Sequence, residues 1–146
     1  MAETRKWRDG QIPAEWIWLN AQLTKNFTRA ELACKHCGRM EIPMASIERL
    51  QRVRDRVGHV LNLSSAYRCP EHNNAVSRTG LTGPHTQVAF DVLVHGPEAY
   101  HVLVAAIAEG FTGIGVNQTG PVEQRFIHLD DIPDAEGMPR PNVWSY

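Results

Sequence analysis

The chain has 146 residues, 42% of them hydrophobic and 21% charged, with a formal net charge of -1. That length suits one domain with a real core, and the near-neutral balance argues against a nucleic-acid binder, whose mark is a strongly basic face. No apolar run reaches the roughly 18 residues needed to span a bilayer, and Met1-Ala2-Glu3-Thr4-Arg5-Lys6-Trp7 is polar, so neither a membrane segment nor a signal peptide is expected. Three cysteines are an odd number, which suits a reducing cytoplasm better than a disulfide framework. A monomer is expected.

In chain order, residues 1–26 carry Trp7, Trp16 and Trp18 and read as an irregular arm packed on a domain formed by residues 27–146. Thr28-Arg29-Ala30-Glu31 is a capping box opening a short helix that runs into Cys34-Lys35-His36-Cys37-Gly38. Residues 43–57 have helical spacing through Ile47, Leu50, Val53 (or Arg54) and Val57, with Gly58 as the stop. Residues 61–67 alternate as a strand, 70–76 suit a short helix, and 77–84 form a loop. Residues 88–94 are the clearest strand, with Val88, Phe90, Val92 and Val94 on one face and Ala89, Asp91 and Leu93 on the other. An amphipathic helix is predicted over 97–109, burying Val102, Leu103, Ala106 and Ile107, with Gly110 after it. Residues 112–116 and 125–130 read as strands, the second placing Phe126, His128 and Asp130 on one face. The Pro-containing tail, 139–146, is expected to cross the surface. Strands and helices do not alternate regularly, so the expected class is α+β, a single domain with a small, mainly antiparallel sheet and flanking helices.

His85, Asp91 and His128 are the residues that suggest chemistry. Two imidazoles and one carboxylate form the kind of three-ligand set that leaves the fourth position of a catalytic zinc open to water. A carboxylate in so apolar a strand needs a partner, because burying an unpaired charge is costly. A metal would serve, and so would a salt bridge or backbone amides.

The ordered segments Ser65-Ala66-Tyr67-Arg68, Asn74, Pro84-His85, Ala89-Phe90-Asp91-Val92, Gly113-Ile114-Gly115 and Phe126-Ile127-His128-Leu129-Asp130 resemble the motifs of the zinc D-Ala-D-Ala carboxypeptidase-like peptidases. That family includes bacterial carboxypeptidases, vancomycin-resistance dipeptidases and phage endolysins. The resemblance covers roughly residues 26–131. It implies a hedgehog/D-Ala-D-Ala peptidase-like fold, and zinc held by His85, Asp91 and His128. Arg68 would hold a substrate carboxylate or the developing oxyanion, and the substrate would be the peptide stems of peptidoglycan. With neither a signal peptide nor a wall-binding module expected, the small chain fits a phage-type endolysin that would be made in the cytoplasm and act on the cell wall. Two departures stand out. Five residues separate His85 from Asp91, one fewer than the family usually has, and Val88 replaces its Gly. Arg125 occupies the position, three before the last His, where many members carry an acid. Asp130 is then the first candidate for the general base, or else an acceptor that orients a ligand His. Glu123 and Asp131 follow it.

Cys34-Lys35-His36-Cys37 is C-x2-C, and Cys69-Pro70-Glu71-His72 is C-x2-H. Cys34, Cys37, Cys69 and His72 together make a candidate closed Cys3His structural zinc site, which would be a second metal. Buried free thiols, or a disulfide from Cys69 to Cys34 or Cys37, are the alternatives. Two further readings of the whole chain stay open: a non-catalytic zinc- or wall-binding module of the same fold, and a zinc-ribbon-like interaction module.

Overall fold

A computed structural model describes residues 16–146; Trp7 lies outside them. Four helices, α1 (Arg29–Leu32), α2 (Met44–Val57), α3 (Pro70–Val76) and α4 (Gly96–Ala108), accompany five strands, β1 (Asn62–Ser65), β2 (Phe90–Leu93), β3 (Gly113–Asn117), β4 (Phe126–Asp130) and β5 (Asn142–Ser145). The strands form one sheet in the order β1-β2-β4-β3-β5. All neighbours are antiparallel except β3 and β5, which run parallel. The chain is therefore α+β with a mainly antiparallel sheet. No helix among the described residues is long and apolar enough to cross a membrane.

The alternation of β2 and β4 sorts the sheet into two faces. Phe90, Val92, Ile127 and Leu129 are buried in the main core together with Leu50 and Val53 of α2 and Val102 and Ala106 of α4. The other face carries Asp91 and His128. α2 begins after Pro43 and ends at Gly58, whose φ of 73° is the left-handed conformation that glycine adopts at little cost. Thr28 caps α1 as expected, its N–H donating to Glu31 Oε1 at 3.0 Å. Of the early tryptophans, Trp16 is buried against Leu19 and Ala33, whereas Trp18 is largely exposed.

Three expectations need correction. α4 buries Ala99, Val102, Ala105 and Ala106, a stripe at spacings of three and four. Ile107 falls off that stripe and is 58% exposed. The first two strands are shorter than predicted, because Ala66, Tyr67, Val88 and Ala89 are buried as loop residues rather than in the ladder. The tail does more than cross the surface: β5 pairs Gly113 with Asn142 and Val116 with Ser145, extending the sheet beyond β3.

Candidate active site

Asp91 on β2 and His128 on β4 are direct cross-strand partners. Antiparallel register puts two such side chains side by side on one face. Here His128 Nδ1 lies 3.0 Å from Asp91 Oδ1. His85 comes from the short helical turn Pro84–Thr86, and its Nε2 lies 3.2 Å from Asp91 Oδ2. The three donor atoms fall within 4.8 Å of one another. The segment from His85 to Asp91, short by one residue, thus still delivers the first imidazole to the carboxylate.

Several contacts fix His85. Its Nδ1–H donates to Ala66 O at 2.6 Å, which leaves Nε2 as the nitrogen that faces Asp91. Its own carbonyl accepts from Arg68 N–H at 2.8 Å. The loop before it is tied by buried Asn73, whose Nδ2 donates to Thr79 Oγ1 (2.8 Å), Gly80 O (2.7 Å) and Thr82 O (3.1 Å). The neighbouring Asn74, which belongs to the motif, is exposed. Sequence alone does not favour one asparagine over the other, since both lie in one short helix.

His128 is held from both sides. Its Nε2–H donates to Asp130 Oδ2 at 2.8 Å. Asp130, with no exposed surface, also takes Arg140 Nε on Oδ1 and Arg140 Nη2 on Oδ2, each at 2.8 Å. The electrostatics follow from these contacts. Burial would raise the Asp91 carboxyl, but the hydrogen bonds and charges of His128 and His85 override it and hold it well below the usual range. Burial would lower His128, yet Asp130 and Asp91 together push it up. Asp130 is likewise held down, against its burial, by His128 and Arg140.

The glycines of β3 make room for this arrangement. A Cβ on Gly113 would run into the Asp130 carboxylate, and one on Gly115 would stand 2.6 Å from Trp144 Nε1 and 2.9 Å from His128 Cβ. Trp144 on β5 lies beside the His128 ring, with centroids 5.0 Å apart, and under the Arg140 guanidinium at 5.2 Å. Neither Arg140 nor Trp144 was singled out by the sequence. An arginine between two prolines in a tail carries no local signal of a buried carboxylate partner.

The sequence profile of Peptidase M15 matches residues 22–130, most of the chain. The chain belongs to the peptidase M15 family. No curated protein matches it. Membership makes it a peptidase of a zinc-using family, and the donor set fits that metal: two imidazole nitrogens and a carboxylate converge, while each ring's second nitrogen is already engaged. The match ends at Asp130, so Arg140 and Trp144 lie outside the matched segment.

Arg68 follows the end of β1 beside the site. Its Nε is buried without a hydrogen-bond partner. Burial pushes its guanidinium down, while the Asp91 charge pulls it back up. Of the base candidates, Asp131 accepts Ser46 Oγ–H on α2 (2.9 and 2.8 Å to its two oxygens) and pairs with Arg49 at 3.3 Å. Glu123 is exposed on the turn Val122–Gln124 that leads into β4. Arg125 Nε–H donates to Gly120 O at 3.0 Å. The cysteines also converge, but with a different histidine: Cys34, Cys37 and Cys69 gather with His36, and His72 lies outside that group, its ring stacked on His36 at 5.6 Å.

Proposed function

We propose that this chain is a zinc peptidase that cuts the peptide stems of bacterial peptidoglycan, acting as a phage-type endolysin with endopeptidase or D-Ala-D-Ala carboxypeptidase activity. The observation that carries the reading is the Asp91–His128 cross-strand pair with His85 Nε2 on the same carboxylate. Zinc held by these three residues would supply Lewis-acid polarisation of the scissile carbonyl and acidify the attacking water. The chain's own residues do the rest. Arg68, with its unpartnered buried Nε, binds the substrate's carboxylate or the oxyanion, for which a planar fork of donors is suited. Asp130 holds the His128 ring in place, since both of its oxygens are already occupied. Glu123, exposed at the entry to β4, is the remaining carboxylate of the three candidates and takes the proton from water.

The test is a digest of purified Gram-negative peptidoglycan, with products identified by mass spectrometry, with and without chelator. New stem-peptide fragments that vanish with chelator and return with zinc are expected, and their masses name the bond. An intact wall in the presence of zinc-loaded protein would instead favour a binding module of the same fold.

A further inference from the structure

We propose that Cys34, His36, Cys37 and Cys69 form a closed structural zinc site that clips the loop after α1 to the start of α3. This inference stands on the cysteine cluster alone and does not depend on the peptidase reading.

Four potential donors from two distant parts of the chain come within 4.8 Å of one another. Cys69 Sγ and His36 Nδ1 are 3.6 Å apart. A tetrahedral zinc with Zn–S of about 2.3 Å and Zn–N of about 2.0–2.1 Å separates such a pair by about 3.6 Å. The three thiols are not joined as disulfides, and two of them are buried. A disulfide would use two sulfurs and leave the third stranded among them. Three thiolates with one imidazole are a donor set suited to zinc, with no position left for water.

The backbone is shaped for the same purpose. Cys34 N–H donates to Arg39 O at 2.7 Å and Gly38 N–H to Cys34 O at 2.8 Å, closing a tight knuckle around His36 and Cys37. Gly38 has a φ of 77°, and a Cβ there would stand 2.8 Å from the buried Trp16 ring. From the other side, Cys69 caps α3. Its N–H points at Cys34 Sγ at 3.3 Å, and His72 N–H points at Cys69 Sγ at 3.4 Å. N–H donors aimed at sulfur favour the thiolate form that a metal requires. His72 stacks parallel on His36, with 5° between the planes, and so fixes the ring rather than binding the metal.

The site would have a consequence for the neighbouring residue. Cys69 directly follows Arg68, whose N–H holds the His85 carbonyl. Clipping Cys69 to the knuckle would fix the chain on one side of that contact.

The experiment counts metal in the full-length protein, purified with reductant and without chelator. Elemental analysis is expected to find two zinc ions per chain in the wild type and one in the His85→Ala/His128→Ala double variant. Cobalt substitution of that double variant should give the intense near-ultraviolet thiolate-to-cobalt charge-transfer absorption, which Cys37→Ser removes. His36→Ala should lose one zinc equivalent and His72→Ala should keep both. Loss in His72→Ala with retention in His36→Ala would overturn the assignment of His36. A double variant that folds but holds no metal, or a disulfide between Cys69 and Cys34 or Cys37 in the purified chain, would overturn the site itself. The double variant keeps all four proposed ligands, so its metal count tests the site whether or not a cysteine variant folds.

Discussion

At the scale of single residues, three carboxylates differ in what each is free to do. Asp91 faces both imidazoles, and Asp130 is committed to His128 and Arg140. Glu123 is open to solvent. Two substitutions should therefore fail differently. Asp130→Asn is expected to weaken zinc binding about 10–100-fold, the usual effect of losing a partner that orients a ligand His. Glu123→Gln should leave zinc affinity unchanged and lower kcat by about 10²–10⁴-fold, the range for a proton-transfer group. Competition with a chromophoric chelator and steady-state kinetics on both proteins decide this, and a Glu123→Gln enzyme with wild-type kcat would remove Glu123 from the chemistry. His128 gives a pH dependence whose sign can be worked out. Its folded value is raised by Asp130 and Asp91 over the opposing effect of burial. In chelator-treated protein its contribution to stability is full below the unfolded value of about 6.5 and is lost as pH rises through the raised folded value. Zinc needs the unprotonated ring, so its contribution grows over that same range. The gap between the melting temperatures of zinc-loaded and chelated protein should widen as pH rises above about 6.5. A gap that stays constant with pH would mean that His128 is not where metal and proton compete.

At the scale of elements, β3 and β5 act as a backing for the ligand strand. Gly113 and Gly115 leave space that Asp130, His128 and Trp144 fill. Gly113→Ala is expected to cost about 1–3 kcal/mol through overpacking and to lower zinc affinity, because the group that must yield is the carboxylate holding His128. For Gly115→Ala the closest obstacle is Trp144 at 2.6 Å. Adding Trp144→Ala should then recover part of the loss, a coupling that a double-mutant cycle in thermal melts would measure. Strict additivity of the two changes would show that Trp144 does not press on β3. These elements also mark what could be read from the sequence. The alternation in β2 and β4 correctly set Asp91 and His128 apart from the apolar core, because a period of two is visible within five residues. β5 was not legible: its four residues follow two prolines, and only long-range parallel pairing with β3 makes them a strand. The C-x2-H spacing suggested His72, since local spacing is all that a pair of short motifs offers. The fold turns His36 inward instead, because the knuckle closed by Gly38 carries it toward Cys69. Asn73 and Arg140 were missed for the same reason, as their partners are defined by the folded loop and by β4 rather than by neighbours in sequence.

At the scale of the whole molecule, the sheet divides labour between its faces. The helix side buries Phe90, Val92, Ile127 and Leu129 with α2 and α4, and none of these contacts needs a metal. The opposite side gathers His85, Asp91, Asp130 and His128, all buried polar groups. Such a chain differs from a small zinc finger, whose folding energy is its metal affinity. Chelated protein should therefore stay folded, with native far-ultraviolet circular dichroism, but melt earlier. Binding that favours the native state adds about 2.7 kcal/mol at free zinc 100 times Kd. For a domain of this size that corresponds to a rise in Tm of roughly 5–11 °C. His85→Ala should abolish the part of that rise due to the His85, Asp91 and His128 set, and should also lower the chelated Tm, since it removes a buried imidazole and its hydrogen bond to Ala66 O. Equal zinc-induced rises in wild type and His85→Ala would place the stabilising metal elsewhere. Unfolding of the wild type on chelation at room temperature would mean that the helix-side core cannot stand without the opposite face.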